Sequence, residues 1–121
     1  MELVNLKDSS DTANFAEAVK RGLGKNQGLY FPEHIPTLEN IDELLEKPFV
    51  ERSIEVLRAL IGDELNNGEL EEIVQTAFAF GAPVEQVNEN VYCLELFHGP
   101  TLAFIDSGGR FMAQTLSRIS E

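Results

Sequence analysis

Between Pro48 and Gly62 the apolar residues fall at 49, 50, 54, 57, 60 and 61. That spacing keeps to one side of a 3.6-residue period and predicts a strong amphipathic helix, with Pro48 as its first residue and Gly62 ending it. A further helix is predicted from about Gly68 to Phe80, with Leu70, Ile73, Val74, Ala77 and Phe78 inward. Asn66 and Glu69 form the reciprocal N-terminal cap pattern before it, and Gly81 follows as a stop. The apolar stripe over 49–61 reads as core packing rather than as a docking face.

The other segments are shorter. Residues 2–7 alternate and predict a short strand. Asn14 with Glu17 repeats the cap pattern before "FAEAVKRGLG", where Phe15, Val19 and Leu23 recur at helical spacing and Gly22 or Gly24 ends the helix. "GLYFP", residues 28–32, is aromatic and bounded by Gly and Pro, which suits a strand or extended segment. In "LENIDELLEK" Asn40 and Glu43 give the cap pattern again, and Ile41, Leu44 and Leu45 make one apolar face. "PVEQVNENVYCLELF" carries β-branched and aromatic residues around a turn-like "NEN" and predicts a hairpin. The last helix is predicted in "SGGRFMAQTLSRIS", with Met112, Leu116 and Ile119 on one side. The fold class is therefore α+β, a mostly helical small domain with about five helices and three or four short strands.

Charge and residue usage exclude several functions. Twenty-one acidic residues against 9 basic ones leave a formal charge of −12. Such a surface repels phosphate backbones and anionic bilayers, so neither nucleic acid nor membrane is an expected partner. No run of about 18 apolar residues is present, and "MELVNLKD" lacks the basic region and long apolar core of a signal peptide. One cysteine, Cys93, permits no internal disulfide, which suits a reducing compartment and a cytoplasmic location. Its place inside "VYCLELF" predicts a buried structural thiol rather than a nucleophile. His34, His98 and that cysteine cannot fill a zinc site without carboxylates, and no ligand pair has metal spacing, so no metal is expected. The carboxylate runs "IDELLE" and "ELEE" read as solvated helix faces.

The stretch "LELFHGPTLAFIDSGGRFMAQ", Leu94 to Gln114, has the layout that often presents a reactive side chain: a strand, a Gly-Pro break, an apolar run, then Gly-Gly into a helix. This stretch resembles the segment of threonine synthases that carries their pyridoxal-phosphate lysine. "LVNLKD", "GLGKNQGLYFPE", "IGDE" and "AFAFGAPV" are similar to the opening of those enzymes in the same order, so the resemblance covers essentially the whole chain. It implies a domain layout with residues 1–121 as the enzyme's N-terminal domain plus the start of its cofactor domain, about 91–121. It also implies the family's activity, in threonine biosynthesis: a lyase that turns O-phospho-L-homoserine and water into L-threonine and phosphate.

Two departures qualify that implication. The position of the family's Schiff-base lysine holds Ile105, which offers no amine, and the lysines present (Lys7, Lys20, Lys25 and Lys47) are all far upstream. The Gly-rich loops that cradle the cofactor phosphate in the family lie beyond these residues; Gly108-Gly109 alone reads as a structural turn. Hence Ile105 is expected to be a non-functional catalytic position, and no cofactor is expected in this chain. His98 is read as a structural hydrogen-bond partner near the Gly-Pro turn, with a general-base role as the alternative. Asp106 is read as the cap of the last helix with Ser107 as an alternative cap, and Ile105 as filling apolar space. The overall expectation is a truncated, catalytically inactive N-terminal fragment of threonine synthase. The alternatives are a non-catalytic binding or regulatory protein descended from the enzyme, or an engineered or mutated stand-alone domain. An apolar strip of Phe111, Met112 and Leu116 on the last helix is expected to take a partner, either a second copy or the missing cofactor domain.

Overall fold

The computed structural model describes residues 1–119. Strands β1 (Leu3–Asn5), β2 (Asp8–Ala13) and β3 (Tyr30–Pro32) form an antiparallel sheet in the order β2-β1-β3, with Leu3 opposite both Ala13 and Pro32. Between them lie helix α1 (Phe15–Arg21) and a single 3₁₀ turn, Lys25–Gln27. Helices α2 (Ile41–Glu46), α3 (Phe49–Ile61) and α4 (Asn67–Ala77) follow. A second sheet is the hairpin β4 (Val84–Asn88) and β5 (Val91–Leu94), and α5 (Asp106–Ile119) closes the described chain. Among the described residues the α+β class and the five helices agree with expectation, while the strands number five, against three or four expected.

The core is built where the helical period is strongest. Ile54 and Ile61 of α3, Leu65, and Leu70, Ile73 and Val74 of α4 form one buried cluster. Phe15, Val50, Leu57, Phe78, Phe111 and Ile119 close over its edges. Phe78 stacks on Phe49 with ring centroids 5.8 Å apart and lies tilted against Phe111 at 6.2 Å.

Two of the three cap patterns form. Asn14 accepts from the Glu17 amide at 2.8 Å, and Glu17 reaches back to the Asn14 amide at 3.1 Å. Asn66 and Glu69 do the same at 3.0 and 3.1 Å. Replacing Asn66 with Ala removes the acceptor of the Glu69 amide at the start of α4. It is expected to cost about 1 kcal/mol, read as a lower urea midpoint at unchanged slope. Helix α1 has a second anchor that no local pattern announces: Glu64 accepts from the Phe15 and Ala16 amides at 3.1 and 3.2 Å and from the Met1 ammonium at 2.8 Å. Burial pushes the Glu64 carboxyl up, but these donors together outweigh it and hold its pKa below the ordinary value.

Several expectations are corrected. Asn40 adopts a left-handed conformation (φ 54°) and its side chain makes no cap, because the αL backbone turns it away from the first-turn amides. Pro48 is the residue before α3 (ψ 153°), not its first residue. Helix α4 ends at Ala77, before Gly81, where Phe78 leaves helical geometry to enter the aromatic stack. Strand β2 carries no strand signal in the sequence, since "DSSDTA" has almost no apolar alternation. On α5 the buried side runs through Phe111, Thr115 and Ile119, not through Met112, which is 54% exposed. Thr115 fits the interior because its hydroxyl donates to the Phe111 carbonyl at 2.9 Å. Cys93 is exposed, because nothing among the described residues covers the hairpin that carries it.

Candidate functional site

The site is the loop from the end of β5 into α5. The Glu95 amide donates to the Pro83 carbonyl at 2.9 Å, which extends the hairpin by one link before the chain turns away. Gly99, Pro100, Thr101 and Leu102 then form a tight turn, closed by the Leu102 amide on the Gly99 carbonyl at 3.1 Å. Proline suits the second place of such a turn because its φ is already set. Leu102 sits at φ 60°, a left-handed conformation that costs a non-glycine residue on the order of 1 kcal/mol. Its side chain is 74% exposed, so burial gives nothing back at this position.

Asp106 ties this turn to α5. It is buried, accepting from the Thr101 amide at 2.9 Å on one oxygen and from the Thr101 hydroxyl on the other. The Thr101 hydroxyl is the main reason its carboxyl titrates below the ordinary value; burial opposes that, and the Thr101 amide and the Arg110 charge add to it. A carboxyl whose folded pKa is lowered contributes its full stability above the unfolded value, so this contact is present at neutral pH and is lost only as acid takes the pH through the folded value. Gly99 packs so closely that a Cβ there would lie 2.3 Å from an Asp106 oxygen. Arg110, one turn further on, donates to the Ala77 and Thr76 carbonyls at 3.1 and 2.8 Å, pinning α5 to the end of α4.

Each residue singled out in the sequence has a definite place here. Ile105 precedes α5 and accepts its first i→i+4 hydrogen bond, from the Gly109 amide at 2.8 Å. Its side chain does not fill apolar space: the residue is 59% exposed, beside a still more exposed Phe104. Asp106 is the first residue of the helix rather than its cap, and Ser107 lies inside the first turn. The Asp106 carboxylate does not cap the helix because it is drawn back to Thr101. Gly108 and Gly109 belong to the helix and not to a turn before it, and the Gly109 amide is already engaged. His98 stacks on Phe97 at 4.7 Å and meets Glu95 Oε2 through Nε2 at 2.7 Å, a carboxylate partner that sequence reasoning did not find. The signal was the i, i+3 spacing of Glu95 and His98. An open cleft beside the loop is lined by Phe49, Arg52, Gly81, Ala82, Pro83 and His98.

The expected apolar strip on α5 lies elsewhere. Phe111 packs against the core and Leu116 is half-buried. Exposed apolar residues gather instead on the hairpin and the loop, at Val84, Val87, Val91, Tyr92, Leu94, Phe97, Leu102, Phe104 and Ile105, each at least half exposed. Among the described residues no group of three or more His, Cys, Asp or Glu is placed to hold a metal ion, and no helix is long and apolar enough to cross a membrane.

Comparison with known proteins agrees with this geometry. Residues 4–78 match the family model described as threonine synthase N terminus. Threonine synthases of Haemophilus influenzae and Escherichia coli are 57% and 58% identical over 119 and 122 residues. These alignments cover 98% and 99% of this chain but 28% of each relative, so the chain spans just over a quarter of their length. The crystal structure of threonine synthase from Escherichia coli superposes with a TM-score of 0.94 over 99% of this chain and 28% of that one. A PLP-bound threonine synthase from Brucella melitensis, 33% identical, gives 0.85 over 100% of this chain and 28% of that one. The family model ends before the loop, so the likeness at 94–114 is carried by the individual relatives.

Proposed function

The chain belongs to the threonine synthase N-terminus family, and from that premise we propose that it is a segment of such an enzyme that frames the cofactor site without supplying its covalent anchor. Ile105 carries this reading. It stands where the resemblance places the anchor lysine, outward at the mouth of the loop, and it has no nitrogen. The bound cofactor supplies an electron sink for carbanion chemistry, but it must be held by an amine and by free N–H groups around its phosphate.

The residues present do not fit that group. Lys7 donates to the Asn26 carbonyl and Lys47 is paired with Glu55, while Lys20 and Lys25 sit on α1 and the 3₁₀ turn. None belongs to the loop. The Gly109 amide, the nearest candidate for an anion, is spent on Ile105. The chain by itself therefore does not convert O-phospho-L-homoserine and water to L-threonine and phosphate. What it offers is the hairpin, the loop and α5, whose exposed apolar side chains are a surface for the remainder of a threonine synthase. That the relatives are over three times longer supports this choice of occupant.

Titration with pyridoxal phosphate followed by borohydride tests the reading. Only sparse labelling spread over the surface lysines is expected. A stoichiometric adduct on one residue would overturn the inactive assignment. Size-exclusion chromatography across a dilution series, with and without the remainder of the Escherichia coli enzyme, separates docking from self-association.

A further inference from the structure

We propose that Gly99, Thr101 and Asp106 form a clasp that holds the 99–105 turn so that the side chain at position 105 projects from it, with Asp106 as the positioning residue. The inference rests on the reading that position 105 is the focus of the site, and it concerns how that position is presented whatever residue occupies it.

Three observations meet in this clasp. The Asp106 carboxylate takes the Thr101 amide on one oxygen and the Thr101 hydroxyl on the other. A capping carboxylate would turn toward amides of its own helix; this one turns backward across the loop. Next, the turn is held against its own preferences. Leu102 keeps a left-handed backbone with an exposed apolar side chain, and such a conformation persists where the surroundings over-determine it. The surroundings here are the Gly99–Leu102 hydrogen bond, the fixed φ of Pro100 and the Thr101–Asp106 pair. Finally, the clasp has a rigid base. Gly99 allows the turn to lie directly on Asp106, and Arg110 fastens the same helical turn to α4.

The consequence falls on position 105. Its carbonyl is committed to the Gly109 amide, so its backbone is fixed at the start of α5 and its side chain stands outside the loop. An isoleucine gains nothing from that exposure. The arrangement serves a side chain that must reach outward from a fixed backbone, and mispositioning a reacting group by about 1 Å can cost on the order of 10²-fold in rate.

The test places a nitroxide at position 105 by Ile105→Cys in a Cys93→Ser background, with Val87→Cys in the hairpin as the control label. Asp106→Asn and Thr101→Val are expected to move the probe at 105 from nanosecond ordering toward the sub-nanosecond motion of a free loop side chain, leaving the control label unchanged. Thr101→Ser, which keeps the hydroxyl, is expected to retain the parent spectrum. An unchanged probe in folded Asp106→Asn and Thr101→Val chains would overturn the proposal, as would equal loosening at both labels. Should Asp106→Asn fail to fold, the Thr101→Val and Thr101→Ser pair decides. A trapped pyridoxal adduct on the unmodified chain would overturn the inactive assignment while leaving this readout untouched.

Discussion

A chain carrying Ile105→Lys, mixed with the remainder of the Escherichia coli enzyme, is expected to release phosphate from O-phospho-L-homoserine at least about 10⁴-fold faster than the same mixture made with Ile105. The magnitude follows from the kind of group restored. Deleting a covalent nucleophile removes a whole reaction path, so its loss is counted in powers of ten, unlike the few-fold effect of an ordinary contact. The gain is expected from one substitution because the frame is already in place: the turn, the clasp and the start of α5 hold position 105 outward now. Equal phosphate release with Ile105 and with the lysine would overturn the assignment of position 105. Silence from both mixtures would overturn docking through the hairpin and loop.

Gly28→Ala is expected to lower stability by about 3 kcal/mol or more, seen as a melting temperature down by roughly 10 °C. A Cβ at Gly28 would lie 1.7 Å from Asn5 Oδ1, closer than any non-bonded contact. Asn5 cannot give way cheaply. It is 2% exposed, donates to Asp11 and to the Lys25 carbonyl at 2.9 Å each, and accepts from the Lys7 amide at 2.9 Å. Asp11 in turn accepts from the Lys25 amide at 2.8 Å and from the Tyr30 hydroxyl at 3.2 Å. Moving Asn5 takes a partner from Asp11 on β2, from the Lys25 carbonyl on the 3₁₀ turn and from the Lys7 amide, the costly side of hydrogen-bond energetics. A melting temperature within 2 °C of the parent by calorimetry would show that the network tolerates the methyl group.

The same network shows where a linear reading stops. "GLGKNQG" is legible as a loop because its glycines are strong punctuation. That two of those glycines exist to admit Asn5 depends on contacts about 20 residues apart. Glu64 capping α1 from 48 and 49 residues away is a second case, and no spacing rule reaches it. Strand β2 is a third: its residues are polar, and it forms because Asp11 and Ala13 are buried by partners from other segments.

The site divides the same way. Residue identity alone established that position 105 lacks an amine, and short-range spacing established α3, α4, the caps at Asn14 and Asn66, and the β4–β5 hairpin. These are consequences of periods and reaches within a few residues, which the chain carries wherever it goes. Which side of α5 is buried, whether Cys93 and Ile105 are covered, and where Asp106 sends its carboxylate were decided by tertiary structure. Burial and hydrogen-bond choice depend on which surfaces meet, and those surfaces come from parts of the chain far apart in sequence.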